Sequence, residues 1–245
     1  MFTRQVVGSP QGRTRHRHQA LDPDDRLNEG GLVGDDQDEQ PWLREAPTDP
    51  AEVGAAYDDW AAGYDNDLAQ WGYDAPAVAA AALAAAQPEA AIVLDVGCGT
   101  GLVGRALRSA GFDRVVGVDL SADSLAQARH TGVYQDLEQV DFQTVPTPFG
   151  SDSFAALVCV GVMTYLPDTE TTVAEFCRVV EPGGTVVFTQ REDLWAERDC
   201  VGALDSLSSR GLCRVVETSE PRDYLPGNDS MADIGVIIAR LEVGN

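Results

Sequence analysis

Ile92-Val93-Leu94-Asp95-Val96-Gly97-Cys98-Gly99-Thr100-Gly101 decides the fold. Ile92 to Leu94 with Val96 make a short apolar strand interrupted by Asp95. Glycines follow at 97, 99 and 101. Leu102, Val103, Ala106 and Leu107 then recur at helical spacing. Strand, glycine turn and helix together let a backbone approach a ligand closely, with oriented N–H groups at the helix start. The spacing limits the ligand. A dinucleotide turn reads G-x-G-x-x-G, which would put its third glycine at 102, where Leu102 stands. An acid two residues before the first glycine sits badly beside a pyrophosphate and suits a positively charged group such as an ammonium. A second acid, Asp119, ends the apolar run Val115-Val116-Gly117-Val118. At the carboxyl end of a strand such an acid can accept from both hydroxyls of a ribose.

A ribose, an ammonium and no phosphate suggest S-adenosylmethionine. With Leu94-Asp95-Val96-Gly97-Cys98-Gly99-Thr100-Gly101 and Gly117-Val118-Asp119-Leu120-Ser121, the chain resembles the class I S-adenosylmethionine-dependent methyltransferases over roughly Val53 to Val243. Within them it is most similar to the methyltransferase-like protein 27 (Williams–Beuren region) group. The resemblance implies an α/β fold: a Rossmann-like sandwich with a seven-stranded, mostly parallel sheet, a C-terminal antiparallel hairpin and helices on both faces. It implies S-adenosylmethionine as cofactor.

It also implies roles for particular residues. Asp95 orders the turn and approaches the ammonium. Gly97, Cys98, Gly99 and Gly101 bring the backbone close, and Asp119 holds the ribose. Leu120 flanks the adenine. Asp141 accepts from the adenine amino group while Phe142 lies on the ring, with Asp136 a rival for the acid. Val160, with Gly161 and Val162, leaves a strand tip facing cofactor and acceptor. Tyr57 and Tyr64, in YDDWAAGYDNDL, belong to a cap near the methionine end.

Composition narrows the partners. There are 17 basic residues, all arginine, against 40 acidic ones, for a net charge of -23. Phosphates would be repelled, which argues against nucleic acid and anionic membrane. A GC-rich genome that favours arginine codons and a high-salt cytoplasm that favours acidic surfaces both account for this balance. Five cysteines, an odd number without metal-ligand spacing, read as reduced thiols in a cytosolic protein. No apolar stretch reaches membrane-spanning length, and Met1 to Ala20 lacks the apolar core of a secretory signal. No metal is expected.

Residues 1–50 read as a disordered polar tail, with a His/Arg cluster at Arg13, Arg15, His16, Arg17 and His18 that reads as solvated. Residues 51–245 form the methyltransferase domain, whose helical cap covers about 51–88. The spacing of Val53, Tyr57, Trp60, Ala61 and Tyr64 predicts one helix from Pro50 to Gln70. Ala77 to Gln87 reads as a second helix, and Ser121 as the N-cap of a third over Ala122 to Arg129. Phe154 to Val160 is a buried strand and Asp168 to Val180 a helix. Glu181-Pro182-Gly183-Gly184 is a turn before a strand at Thr185 to Thr189. A polar helix follows over Glu192 to Gly211, then strands at Arg214 to Thr218 and Ile234 to Leu241.

The reaction implied by the resemblance is in-line transfer of a methyl group to a small-molecule acceptor. A protein or RNA methyltransferase, or a non-catalytic cofactor-binding regulator, are the alternatives. No catalytic residue is assigned. His130 merely follows a helix, and neither an N-P-P-Y amide motif nor a catalytic cysteine pair is present.

Overall fold

The computed structural model describes residues 40–244. Four helices come first: α1 (Pro41–Glu45), α2 (Pro50–Trp60), α3 (Tyr64–Gln70) and α4 (Ala75–Ala86). An alternating set follows: β1 (Val93–Val96), α5 (Leu102–Ser109), β2 (Val115–Asp119), α6 (Ala122–Thr131), β3 (Asp136–Gln139), β4 (Phe154–Cys159), α7 (Thr169–Val179) and β5 (Val180–Arg191). The chain ends with α8 (Glu192–Glu197), α9 (Cys200–Ser209), β6 (Cys213–Thr218), the two-residue β7 (Arg222–Asp223) and β8 (Gly235–Val243).

The strands form one sheet in the order β3-β2-β1-β4-β5-β8-β6, with β7 added on β8. β1 to β5 run parallel; β8 runs antiparallel to β5, β6 and β7. This is the expected α/β sandwich, with β7 as an eighth strand off the seven-strand path.

Register explains why the strand sequences are apolar on both sides. Leu94 pairs with Val116 and Leu157, Leu157 with Val186, and Val186 with Leu241. This row packs with α7 and α9 through Phe176, Leu204 and Leu207. The neighbouring residues Val93, Val115, Val158 and Val187 point to the opposite face, against Ala79, Leu83, Val103 and Leu107 of α4 and α5. A two-residue period with helices on both sides leaves no solvent face. The alanines of α4 are small enough for the helix to lie close to the strands.

Four expectations change. The helix predicted from Pro50 to Gln70 is two helices, because the chain turns at Ala61–Gly63 and α3 restarts after Gly63. Likewise the Glu192 to Gly211 helix breaks at Asp199, which takes a left-handed φ of 46° while its carboxylate accepts from the Gly202 N–H of the next helix. The third concerns the tail. Residues 1–39, including the His/Arg cluster, lie outside the described residues, but Pro41–Glu45 is a helix with Leu43 buried. The expected turn at 181–184 instead lies within β5, where the pairing with β4 shifts register between Phe154 and Ala156.

Arg191, at the end of β5, fastens this N-terminal segment. It is 3% exposed, and its guanidinium donates to the carbonyls of Leu43 (2.6 Å) and Arg44 (3.1 Å) while pairing with Asp193 at 2.5 Å. Arg191→Met removes the donors and strands a buried carbonyl. We expect it to destabilise the fold by roughly 2 kcal/mol in chemical denaturation; a change below about 0.5 kcal/mol would be that of an ordinary surface site.

Candidate functional site

The site lies at the carboxyl ends of β1, β2 and β4, where the strand order reverses between β1 and β4. Crossovers leave a crevice at such a point. Here it is a narrow cavity of about 80 Å³. The glycine turn forms its floor. Gly97 has φ 68°, and a Cβ there would stand 2.1 Å from Val162 Cγ2. Gly99 has φ 52° with no atom within 4 Å of its would-be Cβ, so open space lies above that backbone. Both positions require glycine.

Of the residues expected from the sequence, Tyr57, Tyr64, Gly97, Gly99, Asp119, Leu120, Asp141, Phe142 and Val160 line the cavity. Asp119 Oδ2 accepts from the Gly99 N–H and Oδ1 from the Ser121 N–H, each at 2.8 Å. Burial raises its carboxyl pKa and nearby Asp58 raises it further, while the N–H donors of Ser121, Gly99 and Leu120 oppose the rise. Each oxygen therefore has one fixed donor and capacity for another. Asp141 accepts from the Gln143 N–H (2.8 Å) and the Thr144 hydroxyl (3.1 Å). Its rival Asp136 opens the exposed edge strand β3 and does not line the cavity.

Asp95, Cys98 and Gly101 do not line it. Cys98 is buried against Leu125 and Ala128 of α6, so only its backbone belongs to the turn. Gly101 starts α5 with φ 101°; a Cβ would meet Thr131 and Tyr134. Asp95 lies wholly buried behind the turn.

Tyr134, missed in the sequence, holds Asp95. Its hydroxyl donates to Asp95 Oδ2 at 2.8 Å and accepts from the Gly104 N–H at 3.1 Å. The latter is a first-turn donor of α5, a helix whose N-cap Gly101 has no side chain to satisfy it. The ring fits only because Gly104 and Gly117 lack side chains: a Cβ at either would come within 2.4–2.9 Å of it. A glycine inside β2 was the available signal, since such a residue marks a close approach. Asp95 Oδ1 has no partner among the described residues.

Burial pushes the Asp95 carboxyl up to about 7; the Tyr134 hydroxyl pulls it down and Asp119 adds to the rise. In the unfolded chain the group ionises near pH 4. Between these values the folded state holds a proton that the unfolded state has released, so Asp95 withdraws stability as pH rises from about 4 to about 7. The Tyr134 hydroxyl limits that loss by bonding to the charged form. Tyr134→Phe should therefore destabilise by about 1 kcal/mol at pH 5 and roughly 2–3 kcal/mol at pH 8.5, read from denaturation midpoints at each pH. Equal losses at both would show that the hydroxyl does not serve the carboxylate.

The roof was only partly legible. Tyr57 and Tyr64 come from α2 and α3, and Tyr165, after β4, meets them from below. The Tyr57 hydroxyl donates to the Tyr165 hydroxyl at 3.2 Å, with ring centroids 5.7 Å apart. Trp42 of α1 packs edge-on to Tyr57 at 4.9 Å and Trp60 to Tyr64 at 4.7 Å. Ser121, the N-cap of α6, accepts from the Ser124 N–H and donates its hydroxyl to Asp58 of α2, tying roof to rim. Thr100 and Arg105 tie the glycine turn to Asp65 of α3 in the same way.

Comparison with known proteins agrees with this geometry. A family model described as a methyltransferase domain matches residues 94–188. The chain is similar to the human methyltransferase-like protein 27, 36% identical over 162 residues, 64% of this chain and 66% of that protein. It is also similar to the ubiquinone biosynthesis O-methyltransferase of Methylococcus capsulatus, 34% identical over 39% of this chain and 41% of that one. The match thus spans just under two thirds of the first relative and about two fifths of the second. Among solved structures, the complex between the Haloferax volcanii Trm112 methyltransferase activator and a methyltransferase shares the fold, with a TM-score of 0.60 at 20% identity, covering 79% of this chain and 98% of that one. With the glycine turn, Asp119 at the end of β2 and the sheet order in place, the chain has the class I methyltransferase fold, and residues 94–188 carry a methyltransferase domain of the S-adenosylmethionine-dependent kind.

Proposed function

We propose that this chain transfers the methyl group of S-adenosylmethionine to a small-molecule acceptor within the capped cavity. The observation that carries the reading is the enclosure: one cavity has the glycine turn and Asp119 as its floor and the aromatic helices α2 and α3 as its roof. An acceptor must fit beneath that roof, which suits a metabolite better than a folded protein or RNA. The net charge of -23 also opposes RNA.

The open space above Gly99 and the acceptor pair of Asp119 fit the cofactor. Asp119 would hold the ribose diol, Gly97 and Gly99 would carry the methionine part along their backbone, and Asp141 with Phe142 and Leu120 would hold the adenine. Asp95 acts from behind the turn, keeping its backbone in place and supplying negative charge beneath it. When bound, S-adenosylmethionine supplies a methyl group already activated on a positively charged sulfur. The protein's task is then alignment and exclusion of water, for which Tyr57, Tyr64, Val160 and Tyr165 surround the space.

Asp119→Ala should weaken S-adenosylmethionine binding by about 2 kcal/mol or more, since a buried hydrogen-bonded charge is lost. Unchanged affinity in a calorimetric titration would remove Asp119 from the ribose. Transfer itself is tested by incubating the full chain with methyl-labelled S-adenosylmethionine and cell extract divided by molecular size. Label should appear in the metabolite fraction, and label confined to protein or RNA would reverse the assignment.

A further inference from the structure

Asp95 is wholly buried behind the glycine turn, and only one of its two carboxyl oxygens is bonded. The Tyr134 hydroxyl donates to Oδ2, while Oδ1 has no partner among the described residues. Oδ1 therefore lacks an acceptor when the carboxyl is protonated and a donor when it is ionised. Resting on the reading that the turn takes S-adenosylmethionine, we propose that Asp95 is a proton switch for that cofactor: the protonated carboxyl leaves the ammonium end weakly held, and binding drives the proton off.

The surroundings of Asp95 select this behaviour. Its neighbours in the sheet, Gly117 of β2 and Val158 of β4, carry no charge. The groups that act on it are the Tyr134 hydroxyl and the Asp119 carboxyl, and no arginine or histidine is among them. Burial and Asp119 oppose its charged form, and Tyr134 favours it. The thiols of Cys98, in the turn, and Cys159, at the end of β4, also feel its charge, but burial raises both, so they stay protonated at physiological pH. Asp119 differs, because the backbone N–H groups of Ser121, Gly99 and Leu120 work against its burial.

Without a cation of its own, Asp95 holds a proton up to about pH 7. A ligand ammonium laid along Gly97 and Gly99 supplies the missing countercharge. Opposite charge in a low-dielectric site favours the ionised carboxyl, so the bound ligand lowers its pKa. By linkage the ammonium binds better to the ionised protein, and affinity rises with pH as the proton is lost. Stability moves the other way: ionising Asp95 weakens the free fold, and the ligand restores what is lost.

The test uses the full chain and two ligands, S-adenosylhomocysteine and 5′-methylthioadenosine. They share adenine, ribose and thioether, and only the first has the ammonium and carboxylate. Neither ligand titrates between about pH 5.5 and about pH 7. Calorimetric titrations in two buffers of different ionisation enthalpy count the protons released. At about pH 6, S-adenosylhomocysteine should release about one proton, and its affinity should rise about tenfold from about pH 5.5 to about pH 7. Methylthioadenosine should release none and bind equally across that range. Asp95→Asn, which keeps an acceptor for the Tyr134 hydroxyl, should bind S-adenosylhomocysteine with no proton release and no pH dependence. Tyr134→Phe keeps Asp95 but removes the donor that favours its ionised form, so the rise in affinity should move up by about one pH unit. Binding of S-adenosylhomocysteine without proton release, the same release with methylthioadenosine, or release that survives in Asp95→Asn would overturn the switch alone. Failure of both ligands to bind at any pH would instead defeat the S-adenosylmethionine reading, and this proposal with it.

Discussion

Asp95, a carboxyl group without access to water, is bonded to a phenol 39 positions further along the chain, and the ligand turn stands on that bond. Tyr134 joins β1 to the first turn of α5 through one hydroxyl, in a slot that Gly104 and Gly117 leave open. The geometry between them, Gly97 to Gly101, is thereby set from behind, and the side of the turn that faces the cavity is left free. Burying the carboxyl opposes folding increasingly as pH rises from about 4, and in full above about 7, where it is ionised in place. A group of this kind persists where function needs a charge near a ligand.

The cap answers the opposite requirement. Above the turn the structure supplies aromatic rings instead of charge. Trp42, Tyr57, Trp60 and Tyr64 pack edge to face, an arrangement that gives large apolar area with fixed orientation. The break between α2 and α3 aims Tyr57 and Tyr64 at the same cavity, where a single straight helix would separate them by two turns. Polar ties from Asp58 to Ser121 and from Asp65 to Thr100 and Arg105 then fix the cap to the rim. The glycine turn and its acids thus lie below the cavity and the aromatic rings above it.

Much of this was legible in the sequence because it is local. A strand with both faces apolar, a glycine turn and an acid at the next strand end are short patterns, and β1, α5 and β2 lie within a residue or so of their expected places. The sheet order follows from the same patterns through the family resemblance. What stayed hidden depends on distant partners. β3 reads Asp-Leu-Glu-Gln, an exposed edge strand with almost no apolar signal. Tyr134 looks like a loop residue until Gly104 and Gly117 are brought beside it. The helix over Pro41–Glu45 sits in a polar stretch and owes its place to Arg191, about 150 residues away. Cys98 shows the converse: it lies inside the motif, yet its side chain packs against α6 and only its backbone belongs to the ligand turn.

The central claim is that the turn at Gly97–Gly101 with Asp119 selects S-adenosylmethionine over a dinucleotide. The most direct test is calorimetric titration of the purified full chain with S-adenosylmethionine and, separately, with NAD, at low and high salt. The account predicts saturable binding of S-adenosylmethionine at one site and no heat of binding with NAD. Binding of NAD, or of neither ligand at any salt concentration, would contradict it.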